Sequence, residues 1–312
     1  MLDVASATAT VFIDGEAGTT GLLIRERLGA HRRVRLLSVP EASRKDSGAR
    51  KEAMAQADLA VLCLPDDAAR ESVALADSLP GGGPRILDAS TAHRVAQGWV
   101  YGFPELSPAQ AEAVRTARRV SNPGCYPTGG IALIRPLVDA GILPADYPLT
   151  INAVSGYSGG GKSMIAAYEG GTASSFELYG LGLQHKHLPE LHKFSGLSRR
   201  PIFVPSVGNF RQGMLISVPL HLETLPGKPK ASDLQAALQA RYAGSRWVSV
   251  VPAEASGKLE AESLNGTNAL ELRVFSNETH RQAVLVAKLD NLGKGASGAA
   301  VQNLELMLGL AD

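Results

Sequence analysis

Cysteine is almost missing from this sequence, with two residues, Cys63 and Cys125, in 312. So few thiols exclude a disulfide-built scaffold and favour a reducing compartment. Excess charge is missing too. The formal net charge is +1, so no strong field draws nucleic acid or an anionic membrane, and any anion has to be caught by local groups. No apolar run approaches the roughly 18 residues that span a bilayer. The opening Met1-Leu2-Asp3-Val4 has no basic region followed by an apolar one, so no secretory leader is expected. Internal repeats and low-complexity segments are absent as well. These absences leave a cytoplasmic globular protein. Its 45% hydrophobic and 20% charged content is ordinary for an enzyme, and its length suits one large domain or two modest ones.

The first half alternates short apolar runs with helical patterns. Strands are expected at 10–13, 34–39, 59–64, 85–89 and near 119–120, with helices at 21–28, 67–79 and 109–117. Strands separated by helices imply a parallel sheet with right-handed crossovers. The middle is richer in strands, at 149–154, 202–205, 213–220, 247–251, 269–276 and 284–289. One amphipathic helix, 232–242, is entered there through a Ser232 N-cap. The fold class is therefore an α/β Rossmann-type dinucleotide-binding domain plus an α+β domain with a mostly antiparallel sheet. The boundaries are 1–124 for the first and 125–290 for the catalytic, substrate and oligomerisation domain. The final helix, about 291–312, is expected to pack back on the first. The β-rich middle suits a symmetric interface, so a homo-oligomer, dimer or tetramer, is expected.

Chemistry concentrates at Ser121-Asn122-Pro123-Gly124-Cys125-Tyr126-Pro127-Thr128-Gly129-Gly130. A Pro-Gly turn presents a thiol, and Ile131, Ile134, Leu137 and Val138 then repeat at helical spacing. A thiol at a helix N-terminus feels the positive end of the macrodipole, which favours the thiolate, the form that attacks carbonyl carbon. Pro136 inside this helix should kink or shorten it, although the first turn would survive.

The first strand runs into Gly15-Glu16-Ala17-Gly18-Thr19-Thr20-Gly21 and then a helix. This G-x-x-G-x-x-G spacing is a variant of the dinucleotide fingerprint, in which Gly15, Gly18, Thr19, Thr20 and Gly21 admit a pyrophosphate. After the second strand, Glu41 stands about where NAD sites place an acid. Ser38, Arg44 and Lys45 lie close by and suit a 2′-phosphate, which points to NADP. After a further strand, Ser90 is positioned to bond nicotinamide or substrate and Arg94 to clamp an anion with its planar fork.

Gly156 through Lys162-Ser163 matches a phosphate-loop pattern literally. The first domain already supplies a nucleotide site, so a loop that shapes the pocket behind Cys125 is the better reading, with Lys162 a candidate anion ligand. His185-Lys186-His187-Leu188-Pro189-Glu190 offers acid–base groups suited to neutral pH and a carboxylate to orient one of them. Two local histidines are too few for a zinc site, so no metal is expected. Arg211 is a further anion anchor. Asn291 and Gly295, between a strand and the last helix, are positioned to face the cofactor.

In this order, these motifs resemble the shorter form of the N-acetyl-gamma-glutamyl-phosphate reductases of arginine biosynthesis. The resemblance runs through most of the chain. Its specific parts are Asn122 to Thr128 and the string from Asp290 to Ala296. It implies NADP as cofactor, Cys125 as nucleophile, and His185, His187 and Glu190 as the family's His-x-His-x-Pro-Glu motif. The substrate it implies is N-acetylglutamyl phosphate, with phosphate released and Arg94, Lys162 or Arg211 binding phosphate or carboxylate. Which histidine acts as acid and base stays open. The rival readings are reduction of a related aspartyl or amino-adipyl phosphate, and a non-catalytic NADP-binding redox sensor.

Overall fold

Successive side chains of β1 (Ala9–Asp14) point to opposite faces, and both faces are buried. Val11 and Ile13 join one buried cluster with Ile24, Val61, Leu87 and Leu304. Phe12 joins another with Met54, Ala60, Leu62 and Ile86. A strand buried on both sides needs helices on both sides, the arrangement of a parallel sheet. The computed structural model contains that sheet and describes residues 8–311. The opening segment read for a leader, and Asp312, lie outside the described residues.

The sheet adds β2 (Val34–Leu37), β3 (Leu59–Leu62), β4 (Arg85–Asp88), β5 (Val100–Tyr101) and β6 (Arg119–Ser121). The order is β2-β1-β3-β4-β6-β5, and every pair is parallel. Helices α1 (Thr19–Gly29), α2 (Ser47–Ala55), α3 (Asp66–Asp77) and α4 (Gln110–Thr116) form the crossovers. Strand order reverses between β1 and β3. The crevice at their carboxyl ends is the switch point where open α/β sheets bind ligands.

Two compact units divide the chain. The first takes residues up to Pro104, Ala109–Pro123, and those from Ser297 on; the second takes Glu105–Pro108 and Gly124–Ala296. The division thus falls between Pro123 and Gly124, within the Pro-Gly turn.

The second unit is built on a seven-stranded sheet in the order β11-β12-β13-β10-β7-β9-β8. Its strands are β7 (Thr150–Gly156), β8 (Phe176–Leu178), β9 (Ile202–Gly208), β10 (Met214–His221), β11 (Val248–Val250), β12 (Leu270–Asn277) and β13 (Gln282–Leu289). β7 with β9 and β11 with β12 are parallel, and the remaining pairs are antiparallel. β10 alternates buried Met214, Ile216, Val218 and Leu220 with more exposed partners, the pattern of a half-covered sheet. Its inner face carries α5 (Cys125–Asp139) and α8 (Ala231–Tyr242). Gly129 permits the close seat of α5, because a Cβ there would meet Ile216 Cδ1 at 2.6 Å. The outer face leaves a concavity of about 780 Å³ lined by Val154, Phe176, Leu215, Phe275, Val284 and Val286, among others. α6 (Gly161–Glu169) and α7 (Leu188–Phe194) complete this unit. The last helix, α9 (Gly298–Met307), packs on α1 and α4 in the first unit.

Two expectations are corrected. Ser232 is not the N-cap: α8 starts one residue earlier, because the Asp233 carboxylate accepts the Lys230 backbone N–H at 2.8 Å. Pro136 neither stops nor shortens α5, which runs through it to Asp139.

Candidate active site

Cys125 is the first residue of α5, and Gly124 is its N-cap with no capping side chain. The helix start therefore directs its dipole and backbone amides toward the thiol. The turn that precedes the thiol is braced from both sides in sequence. The buried Glu190 carboxylate accepts the Gly124 N–H at 3.0 Å. Asn122 donates its N–H to Asp88 O at 2.7 Å, and its own carbonyl accepts Arg94 Nε at 3.0 Å. Gly295 closes the rear. It lies in a π-helical turn, Gly293–Ser297, and a Cβ there would stand 2.8 Å from Cys125 Cβ. That turn is anchored by its neighbour Lys294, almost fully buried, whose Nζ meets Glu105 Oε1 at 2.7 Å. Isolated π-turns of this kind recur at functional sites.

A cavity of about 190 Å³ opens on the thiol. Its lining includes Tyr126, Ser155, Gly159, Tyr179, His185 and His187 with Cys125. The loop from Ser155 to Gly160 forms part of the wall, while Lys162 is exposed and outside the lining. The two imidazoles meet edge-on, with ring centroids 4.8 Å apart. His185 Nδ1 accepts the His187 backbone N–H at 3.1 Å, so its proton sits on Nε2. The rings of Tyr126, Tyr179 and Phe203 surround it. That burial, with the Lys186 charge beside it, lowers the His185 pKa to about 4. The imidazole is neutral at physiological pH and presents an N–H. Tyr179 donates to Tyr126 Oη at 2.9 Å, and Tyr126 donates onward to Ser206 O at 3.0 Å. Burial pushes the Tyr179 phenol up to about 12, so this relay stays protonated.

Other sequence candidates sit elsewhere in the network. Arg94 is buried and donates to the carbonyls of Asn122 and Ala89. Arg211 is exposed and ion-paired with Glu169. Asn291 accepts the Gly213 N–H at 2.8 Å and donates to Ser158 Oγ at 3.0 Å. It ties the wall of the cavity to the strand that leads into the π-turn. Sequence reasoning missed Tyr179, Lys186 and Met164 in the lining. Lys186 stood in plain sight between the two histidines. Tyr179 carried no local signal, because only the tertiary fold brings it beside Tyr126.

In the first unit, Gly15 closes the loop after β1 at φ +89, and a Cβ there would meet Cys63 O at 2.4 Å. Gly18 is the N-cap of α1, again without a capping side chain. Glycine at these positions leaves the backbone bare at the switch point, a cradle that fits a dinucleotide pyrophosphate. Ser38 directly follows β2. Ser90 donates to Asp88 Oδ2 at 2.7 Å. Arg44 is exposed and pairs with Glu41 at 3.3 Å. Asp14, the last residue of β1, is clamped by Arg50 at 2.8 Å and by Ser72 at 2.6 Å, which fixes the strand end from which the loop departs. The other cysteine, Cys63, has its thiol pushed up to about 12 by burial and by the Asp88 and Asp14 carboxylates. It is held as an inert thiol, unlike the helix-tip position of Cys125.

A Rossmann-type unit joined to a mixed-sheet unit that carries a helix-tip cysteine beside paired histidines defines a semialdehyde dehydrogenase. Residues 21–114 match the semialdehyde dehydrogenase NAD binding domain, and 125–291 match the semialdehyde dehydrogenase dimerisation domain. Aspartate semialdehyde dehydrogenase II of Vibrio cholerae shares the fold, with TM-score 0.71 at 18% identity over 97% of this chain and 99% of that one. The Candida albicans aspartate semialdehyde dehydrogenase, solved with NADP, gives 0.65 at 12% identity over 98% and 100%. Within this class the chain belongs to the N-acetyl-gamma-glutamyl-phosphate reductases. It is 55% identical to N-acetyl-gamma-glutamyl-phosphate reductase 2 of Pseudomonas putida over 97% of each chain. It is 56% identical to the reductase of Chelativorans sp. over 96% of this chain and 98% of the relative.

Proposed function

We propose that the protein reduces N-acetyl-L-glutamyl 5-phosphate to N-acetyl-L-glutamate 5-semialdehyde and phosphate, with NADPH as reductant. The observation that carries the chemistry is the convergence of Cys125, His185 and His187 on one cavity at the start of α5. Cys125 thiolate attacks the acyl carbon, the C–O bond to phosphate breaks, and a thioester remains on Sγ. A thiolate serves because it is a good nucleophile and a good leaving group. The backbone amides at the start of α5 stabilise the oxyanion in both halves of the reaction. Bound NADPH supplies the hydride. The neutral His185 holds the developing alkoxide with a hydrogen bond from Nε2–H and keeps its proton, and His187 takes the thiol proton at the outset and passes it to the departing phosphate. Collapse of the hemithioacetal then releases the aldehyde and regenerates the thiolate.

Gly15, Gly18, Thr19, Thr20 and Gly21 hold the pyrophosphate in this reading, and Ser38 lies at the adenosine ribose. Glu190 and Arg94 act as positioning residues, through Gly124 and Asn122. The outer face of the second sheet is the homodimer interface, supported by its apolar lining and by the dimerisation-domain match. No helix among the described residues is long and apolar enough to cross a membrane, and a cytoplasmic location is part of the proposal.

The test runs the reaction backwards. N-acetylglutamate semialdehyde, NADP and phosphate are expected to produce NADPH, and Cys125→Ser is expected to abolish it. Mass spectrometry of enzyme quenched with acyl phosphate in the absence of NADPH is expected to find one acyl group on Cys125. Turnover without phosphate, or an unmodified Cys125, would overturn the scheme. Faster turnover of aspartate semialdehyde would replace the substrate while keeping the chemistry.

A further inference from the structure

Gly21 has no Cβ to hold α1 away from the loop before it: a Cβ there would stand 2.8 Å from Glu16 Cα. The first turn of α1 therefore rests on the backbone of Glu16. One turn further along the same face is Arg25, at the i+4 position. β1 and β2 are parallel neighbours with Phe12 opposite Leu37, so the residues just past both strands end side by side. Three groups meet as a result. Arg25 pairs with the Glu16 carboxylate. Arg25 also donates to Ser38 Oγ at 2.7 Å, and Ser38 Oγ donates to Glu16 Oε2 at 3.1 Å. All three are accessible to solvent, with Arg25 47% exposed.

This cluster occupies the end of the second strand of a Rossmann-type sheet, where the adenosine ribose is read. An NAD site places an acidic acceptor there for the 2′-hydroxyl, and an NADP site places a cation for the 2′-phosphate. The cluster contains both, locked on each other. A phosphate dianion offers a guanidinium more charge and a better-matched fork than a single carboxylate does. We propose that Arg25, with Ser38, binds the 2′-phosphate of the cofactor, and that Glu16 is an internal counter-charge which the phosphate displaces. Glu16 then weakens NADP binding slightly and supplies a carboxylate acceptor for the 2′-hydroxyl of NAD. Arg44, which lies further along and is paired with Glu41, is secondary. The inference rests on the reading of the first unit as an NADP site.

Calorimetric titration with NADP, NAD and adenosine 2′,5′-bisphosphate tests it without turnover. Arg25→Met is expected to weaken NADP and the bisphosphate by about tenfold or more, the loss of a charge-assisted pair, and to leave NAD within about twofold. Arg25→Lys is expected to fall between, since it keeps the charge and loses the fork. Glu16→Gln is expected to tighten NADP by about threefold and to weaken NAD, a gain that general damage to the loop does not produce. Wild-type protein that binds no NADP removes the underlying site. Wild-type binding of NADP with equal losses for NADP and NAD in Arg25→Met removes the inference alone. So does a Glu16→Gln protein with weaker NADP binding, or an Arg44→Met protein that loses the preference while Arg25→Met keeps it.

Discussion

Tyr242 donates its phenolic hydrogen to the backbone oxygen of Ala132 at 2.9 Å, and Ala132 is the residue whose helical partner Pro136 cannot supply. In α5 the N–H of residue 136 would close the bond to the carbonyl of residue 132, and proline has none. The acceptor is buried, and an unsatisfied buried carbonyl costs about 1–3 kcal/mol. Tyr242, from α8, fills the vacancy. This is how a helix with an interior proline reaches Asp139 unbroken.

Tyr242→Phe is therefore expected to destabilise the protein by about 1–3 kcal/mol. The cost is expected to shrink in a Pro136→Ala background, where residue 136 regains its amide. Urea unfolding of the two single variants and the double variant measures the coupling. Additive losses would show that the phenol acts only through packing.

The backbone around Cys125 was legible in sequence because its signals are local: a Pro-Gly turn, a thiol, and apolar residues at helical spacing. The parallel sheet was legible because apolar strands alternated with helical patterns. What escaped was non-local. Arg94 looks like a surface clamp in sequence, yet its guanidinium is spent on the carbonyls of Asn122 and Ala89. Pro136 looks like a helix breaker until Tyr242, more than a hundred residues on, supplies the hydrogen bond. Short strands such as β5 and β8 exist through their pairing and carry too few residues for a pattern of their own.

Gly295 is a direct probe of the thiol's placement. Alanine at this position puts a methyl group 2.8 Å from Cys125 Cβ, and one side has to move. Displacement of a nucleophile by a fraction of an ångström to 1 Å costs up to about 100-fold in rate. Gly295→Ala is expected to lower kcat by about tenfold or more and to slow alkylation of Cys125 by iodoacetamide in parallel. Unchanged alkylation with reduced kcat would locate the effect at the cofactor instead.

His185 predicts the acid limb of stability. Its folded pKa lies at about 4, below the ordinary imidazole value of 6.5, so between these values the unfolded chain binds more protons than the folded one. Stability then rises with pH through this window. The contribution is complete above about 6.5 and is lost as pH falls through about 4. His185→Gln keeps an acceptor and removes the titration. Melting temperature measured from pH 4 to 7 is expected to climb less steeply in that variant. Parallel curves would mean that the imidazole is not shielded by Tyr126, Tyr179 and Phe203.

The outer face of the second sheet makes the last prediction. Val284 is 37% exposed and Phe176 56% exposed, and both line the large concavity with Val286, Leu215 and Phe275. Apolar residues on both β8 and β13 extend the patch across most of the sheet's width. A monomer would leave this surface in water, and contiguous apolar patches of this kind mark association sites. A two-fold contact brings the same patch from each copy together, so one substitution acts twice. Val284→Arg places a like charge in the patch of each copy. It is expected to convert the sedimenting species to monomer, with the fold of the parent by circular dichroism and with Cys125 still alkylated at a comparable rate. A species of unchanged mass would move the interface to another surface and leave this patch without its proposed occupant.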